Sequence, residues 1–222
     1  MYVFTYCAWY LCAYKIFEEI EYRVKRRRAF ISLIAALLLA PFGIYEHALL
    51  WSGNISSMAS SQVHVEVVAM YIAYTITDTF GGVVSYPQFF TLVDGWIHHL
   101  STLGFAIISW YAGMSRVFAL SMIVEVPTIL LQLDRVVADN WTRVLRRTVF
   151  PWLFITNRIL LHGMCLWKLS EYPEVPPAYL AFCRVFYTGF TMMNLYWLGL
   201  MGMKSWISRD RVEVDAEYRN ED

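Results

Sequence analysis

The chain has 222 residues, of which 58% are hydrophobic, 17% aromatic and 16% charged, against about 45–50% apolar and about 25% charged in an ordinary soluble domain. That composition leaves too little polar surface to coat a water-soluble globule. The 18 Lys and Arg are balanced by 18 Asp and Glu, which excludes a bulk charge that would draw the chain to nucleic acid or acidic lipid.

Seven apolar stretches follow in chain order: 1–17, 29–51, 63–84, 95–115, 117–133, 148–167 and 178–203. About 20 apolar residues span a bilayer core, so seven spans use about 140 residues and leave no room for a second folded domain. The first stretch is short and ends at Lys15, and reads either as a span or as an interfacial helix. No basic n-region follows Met1, so this end is expected to be retained. The third stretch carries Asp78 near its inner end and leads into Gly81-Gly82 and Pro87. Fourteen Lys and Arg fall in the loops and tail of one side, including Arg26, Arg27, Arg28, Arg143, Arg146 and Arg147, against Arg116 and Lys168 on the other. The positive-inside bias then places the N-terminus outside or in the lumen and the C-terminus in the cytosol. The charged stretch 204–222 reads as a disordered cytosolic tail. Cys7, Cys12, Cys165 and Cys183 all lie in apolar runs and form no disulfide framework. Asn54-Ile55-Ser56 is a glycosylation sequon in an outer loop.

Ionisable residues inside spans cost several kcal/mol unless they face the bundle interior, so each marks a candidate site. Counting along the spans puts Glu125 and Arg158 near the midplane on consecutive helices, where an ion pair is expected. His98 and His99 lie at the depth of Asp78, whose carboxylate would orient one imidazole. Adjacent helical residues point about 100° apart, so one histidine faces a cavity and the other a helix contact. Each reads either as a general base or as an interhelical hydrogen-bonding residue. His162 lies one turn beyond Arg158 and lines the same cavity, with Thr128 and Asn194 completing the set of lipid-cavity residues. His47 and His64 border the outer loop and read as interfacial. Pro127 and Pro151 loosen the local backbone. The five histidines make no pair at i+3 or i+4, which argues against a di-iron oxygenase, and no metal or cofactor is expected. No phosphate loop, Cys-x-x-Cys or Gly-x-Ser-x-Gly elbow occurs.

The run Gly95-Trp96-Ile97-His98-His99-Leu100-Ser101-Thr102-Leu103-Gly104 resembles the histidine-pair segment of the TLC (TRAM, LAG1 and CLN8 homology) domain, the family that includes ceramide synthases. An acidic position follows on the next span, in Met122-Ile123-Val124-Glu125-Val126-Pro127-Thr128, and Asn157-Arg158 on the one after. The resemblance covers about residues 23 to 204. Val124 stands where ceramide synthases carry a further His and Thr128 where they carry a further Asp, so the chain looks closer to the TLC domain-containing branch. The resemblance implies an all-α membrane protein of about seven transmembrane helices over residues 1–203. It further implies a role in membrane lipid homeostasis, with lipid acyl chains bound or sensed in an intrabundle cavity. The alternative it implies is an acyltransferase acting on a lipid amine or alcohol, with acyl-CoA as co-substrate and His98, His99 and Asp78 as the catalytic group. Membrane lipids are the implied partners, a homo- or hetero-dimer through transmembrane helices is allowed, and the endoplasmic reticulum or another endomembrane is the implied location, with the plasma membrane as the alternative.

Overall fold

The computed structural model describes residues 2–20, 24–85, 87 and 90–219. Arg23 of the basic loop and the last three residues of the expected tail lie outside them. Among the described residues every regular element is helical. In order they are α1 (Tyr2–Ile20), α2 (Val24–Trp51), α3 (Gln62–Ser85), a π-helical segment Leu92–Ile97 running into α4 (His98–Tyr111), and α5 (Ser115–Ser121). A 3₁₀ turn, Met122–Val124, joins α5 to α6 (Glu125–Val137). There follow α7 (Asn140–Thr148), α8 (Phe150–Ile155), a second π-helical segment Thr156–Leu160, α9 (Leu161–Leu169) and α10 (Pro177–Arg219). The backbone of the stretch read as a solvated coil from Lys204 therefore continues α10 as far as Arg219.

Among the described residues three helices are long and apolar enough to cross a membrane: Arg28–Trp51, Gln62–Val84 and Ser115–Val137, the last interrupted by the 3₁₀ turn. A fourth is added if Asn140–Thr148 and Phe150–Leu169, joined at a 46° bend, count as one span. The first expected span, α1, with its four tyrosines and one Trp, is not among these helices. Large apolar side chains stand on outer faces, among them Val185 at 74% and Trp152 at 71% exposed. Water would penalise that arrangement and lipid would not.

α2 is the axis of the bundle, packing on α3, α5, the 3₁₀ turn and α6, while α1 lies on α3. The core that results includes Tyr10, Leu39, Met58, Tyr71, Phe105, Phe118 and Leu120. Gly43 explains how closely α2 approaches the 3₁₀ turn, because a Cβ there would fall on the backbone of Met122 and Ile123. Pro127 lacks an N–H and so removes a helical bond just beyond that turn, which breaks the span at Glu125. Pro151 opens α8 at its first turn, where a missing N–H costs nothing.

At the end of α2, Gly53 takes a φ of 73°, its N–H reaches Leu50 O at 3.3 Å and the Asn54 N–H reaches Leu49 O at 3.0 Å, a Schellman ending. The loop that follows is strapped across this end of the bundle. Ser60 N–H donates to Gly113 O at 3.0 Å, Ser115 N–H to Ser60 Oγ at 2.6 Å, and Met58 N–H to Glu174 Oε1 at 2.8 Å. The Met58 N–H holds the exposed Glu174 carboxyl below its ordinary value, assisted by its own backbone N–H.

Gly43→Ala is expected to destabilise the fold by about 3 kcal/mol or more, the upper end for overpacking, because backbone rather than a side chain must yield. Gly104→Ala, where a Cβ meets open space, is the control. Melting temperatures of the two variants in detergent, equal to each other, would refute the close approach. A carboxyl held low in the folded state stabilises above its unfolded value and ceases to as pH falls through the folded one. The melting difference between the parent protein and Glu174→Gln is therefore present at neutral pH and shrinks on acidification.

Candidate functional site

The two histidines leave α4 in different directions. His99 is buried against α3, with Nε2 3.4 Å from Asp78 Oδ2 and Nδ1 2.8 Å from Thr79 Oγ1. Asp78 also lies 3.9 Å from Arg28 Nε on α2. Both nitrogens of His99 are thus engaged, and this side chain acts as a clamp between α3 and α4 with neither nitrogen offered to a ligand. His98 turns the other way, its ring 5.4 Å from that of Trp197 and 6.2 Å from that of Phe190 on α10. Its Nδ1 is buried and makes no hydrogen bond within the protein.

His98 lines a mainly apolar cavity of about 20 Å³ together with Tyr71, Phe105, Glu125, His162 and Phe190. That is room for about one water-sized group. His162 is only 2% exposed, and its Nδ1 is likewise without a protein partner. The seam therefore brings two imidazole side chains and one carboxylate side chain, from α4, α9 and α6, to the wall of the same small space.

Arg158 sits in the second π-helical segment and donates from Nε to Val124 O at 3.1 Å and from a terminal nitrogen to Thr128 Oγ1 at 2.7 Å. The ion pair expected between Glu125 and Arg158 is not closed to within 4 Å. The physical reason is the 3₁₀ turn before Pro127, which turns the Val124 carbonyl toward the guanidinium while Glu125 faces the cavity. The guanidinium also lies 5.4 Å from the Phe154 ring and 5.9 Å from the Trp197 ring, a cation–π setting suited to a buried Arg. Asn194 is fully buried and donates to Phe190 O at 2.9 Å and to Arg158 O at 3.4 Å. Thr128 and Asn194 thus position Arg158, and neither lines the cavity.

Beside the cavity, an apolar groove of about 440 Å³ runs between α4 and α10. Gly104 and Gly189 stand on its two walls, and a Cβ at either would meet open space. Phe105, Phe186 and Phe190 line both the groove and the cavity. The Phe105 and Phe186 rings stack at 4.1 Å and 15°, with Phe190 5.7 Å beyond. These three rings form the wall shared by the groove and the small cavity.

The opposite end of the bundle carries a second buried cluster that sequence reasoning missed. His64 and Glu46 are 4% and 3% exposed. His64 Nε2 lies 2.8 Å from Glu46 Oε1, and Arg116 Nε lies 3.0 Å from Glu46 Oε2. Ser61 N–H donates to His64 Nδ1 at 3.0 Å and Arg116 Nε–H to His64 Nε2 at 3.3 Å, so the imidazole is held at both ring nitrogens. Arg116 also donates to Ser57 O at 2.6 Å, so this cluster ties the outer loop to α2, α3 and α5. The available signal was an acid, Glu46, and an imidazole, His64, flanking one outer loop. His47, also read as interfacial, is buried at 5% exposure. All four cysteines are free thiols. Among the described residues no three His, Cys, Asp or Glu side chains converge as a metal site.

Fold and site together define an all-helical bundle with apolar helices of membrane-spanning length and a buried polar seam. No protein-family model, curated protein or solved structure matches the chain.

Asp78→Asn is expected to lower stability by somewhat less than the about 3–5 kcal/mol of breaking a fully buried pair, because the Arg28 side chain keeps 24% exposure. Ser101→Ala, an exposed hydroxyl bonded to His98 O of its own helix, should leave melting unchanged. Equal melting of the two variants would show that the clamp carries no load.

Proposed function

We propose that the chain is a multi-pass TLC-domain-like membrane protein that binds or senses lipid acyl chains inside its bundle and takes part in membrane lipid homeostasis. The observation that carries this reading is the apolar groove between α4 and α10 meeting the cavity of His98, Glu125 and His162 across a wall of three phenylalanines. A chain-shaped apolar space ending at a small set of buried polar groups is the form expected of a lipid site. In this reading all seven apolar stretches cross the bilayer, the N-terminus faces the lumen and the C-terminus the cytosol, as the distribution of Lys and Arg between loops supports. An endoplasmic reticulum or other endomembrane location rests on the family resemblance.

The second reading, an acyltransferase, is favoured by the unpartnered Nδ1 of His98. A lipid alcohol or amine would attack the thioester carbonyl of acyl-CoA while His98 takes its proton; the C–S bond breaks and the leaving thiolate recovers that proton. His99 and Asp78 then position the helix, since both His99 nitrogens are engaged within the protein.

Protein purified in a mild detergent should retain lipid detectable by mass spectrometry, and His98→Phe, which extends an apolar ring into the cavity, should reduce that lipid several-fold. Incubation with labelled acyl-CoA and a panel of alcohols and amines separates the two readings. Product that disappears in His98→Ala establishes the enzyme, and retained lipid without product establishes the binder. Neither lipid nor product would end both.

A further inference from the structure

Two consecutive helices of spanning length are joined at one end of the bundle by a short helix that neither needs in order to span. Ser115–Val137 has 23 residues, and Phe150–Leu169 alone covers about 30 Å at 1.5 Å per residue, the depth of a hydrocarbon core. α7 lies between them, at the headgroup level of one leaflet, and leaves the line of Phe150–Leu169 by 46°.

The corner holds α7 in that position. α6 ends on Ala138, whose φ of 56° is uncommon for a residue with a Cβ and whose N–H donates to Asp134 O at 3.0 Å. Asp139 caps α7, accepting from Asn140 N–H at 2.6 Å. Asp134 grips α7 with both carboxylate oxygens: Oδ1 accepts from Thr142 Oγ1 at 3.1 Å and Oδ2 lies 2.6 Å from Arg146 Nε. Thr142 is buried beneath this grip, so the far side of α7 is turned outward. That side carries two strips. Trp141 and Val144, 51% and 57% exposed, form an apolar one; Arg143 and Arg147, four residues apart and both exposed, form a basic one beside it.

Residues 134–148 hold four Arg and two Asp, and both acids are already bonded within the corner. Arg143 donates to the Ala138 carbonyl at 3.2 Å, and among the described residues neither it nor Arg147 pairs with a carboxylate. An apolar strip beside a basic one is the form that sits at the boundary between acyl chains and heads. A guanidinium takes a phosphate through two parallel N–H bonds. A zwitterionic head brings its own ammonium to that phosphate, whereas an acidic head leaves negative charge for the second arginine. Resting on the membrane-spanning reading of the flanking helices, and independently of the groove, we propose that α7 is a binding surface for acidic phospholipid heads. Trp141 and Val144 seat it at the edge of the acyl chains, and Arg143 and Arg147 hold the head.

The test uses the full chain in phosphatidylcholine nanodiscs containing a minor fraction of a clickable lipid probe with a photoactivatable group near its head, either phosphatidylserine or phosphatidylcholine with identical chains. On a scale of about fivefold per arginine, the serine probe should label the α7 peptide roughly tenfold above the choline probe. That ratio should shrink as salt is raised, since the Debye length shortens. Arg147→Gln should cut it about fivefold, and the double variant Arg143→Gln with Arg147→Gln should bring it to unity. Lys168→Gln, a residue paired with Glu171 on another loop, should leave it unchanged. Where the double variant melts below the working temperature, Arg147→Gln alone decides. Equal labelling by the two probes, a preference that survives the arginine variants, or one erased by inorganic phosphate at matched ionic strength overturns the inference. Each of these leaves the groove reading standing, because lipid held there is read from peptides of α4 and α10.

Discussion

A guanidinium held inside an apolar bundle must place its donors on protein acceptors, and where Arg158 places them sets much of the surrounding structure. Its bonds to Val124 O and Thr128 Oγ1 join the π-helical segment of one span to the 3₁₀ break of the one before. The carbonyl of Arg158 in turn receives Asn194 from α10. Three elements are thereby fixed at one depth, and Glu125, released from pairing with Arg158, is left facing the cavity. Each of these residues would be costly alone in hydrocarbon; together they satisfy one another.

Backbone irregularity follows the same logic. Spanning structures tolerate non-α geometry at depth only where it is buried in protein or lines a cavity. The π-helical segment Leu92–Ile97 runs directly into His98 and His99, Thr156–Leu160 contains Asn157 and Arg158, and the 3₁₀ turn ends at Glu125. Each of these three departures from α geometry adjoins the polar seam, the kind of position where π turns are frequently found. Gly43 belongs to this set, since only a residue without a Cβ lets α2 close on the 3₁₀ turn from behind.

How much of this was legible in the sequence depends on whether depth or direction is asked for. Depth follows from counting residues at a fixed rise, and the apolar stretches drawn from the sequence overlie helices, with Asp78 beside His99 and His98, Glu125 and His162 around one cavity. Direction does not follow. Each π turn inserts a residue and rotates everything beyond it by about 100°, so the separate duties of His98 and His99 were undecided until the backbone was known. The Glu125–Arg158 pair was misjudged for a related reason: matched depth brought the charges close, but the broken backbone offered the guanidinium a carbonyl instead. The Glu46, His64 and Arg116 cluster escaped because its residues lie at span ends, where charges are ordinarily solvated.

The two polar clusters divide the bundle unequally. At one end Glu46 pairs with His64 and Arg116, and Arg116 straps the outer loop; at the other Arg28, Asp78, Thr79 and His99 close the α2, α3 and α4 contact. Neither leaves an imidazole nitrogen unused. Between them the seam of His98 and His162 does, and beside it α4 and α10 stand apart at Gly104 and Gly189 while touching mainly through aromatic rings. Ion pairs and hydrogen bonds resist displacement by a directional penalty, whereas stacked rings slide and turn at lower cost. Paired charges hold the bundle at its two ends, whereas the α4 and α10 face is held largely by ring contacts beside an apolar groove, near the unpartnered Nδ1 of His98. The lipid-binding function proposed above would draw on that combination, since a molecule entering from the bilayer meets rings there rather than paired charges.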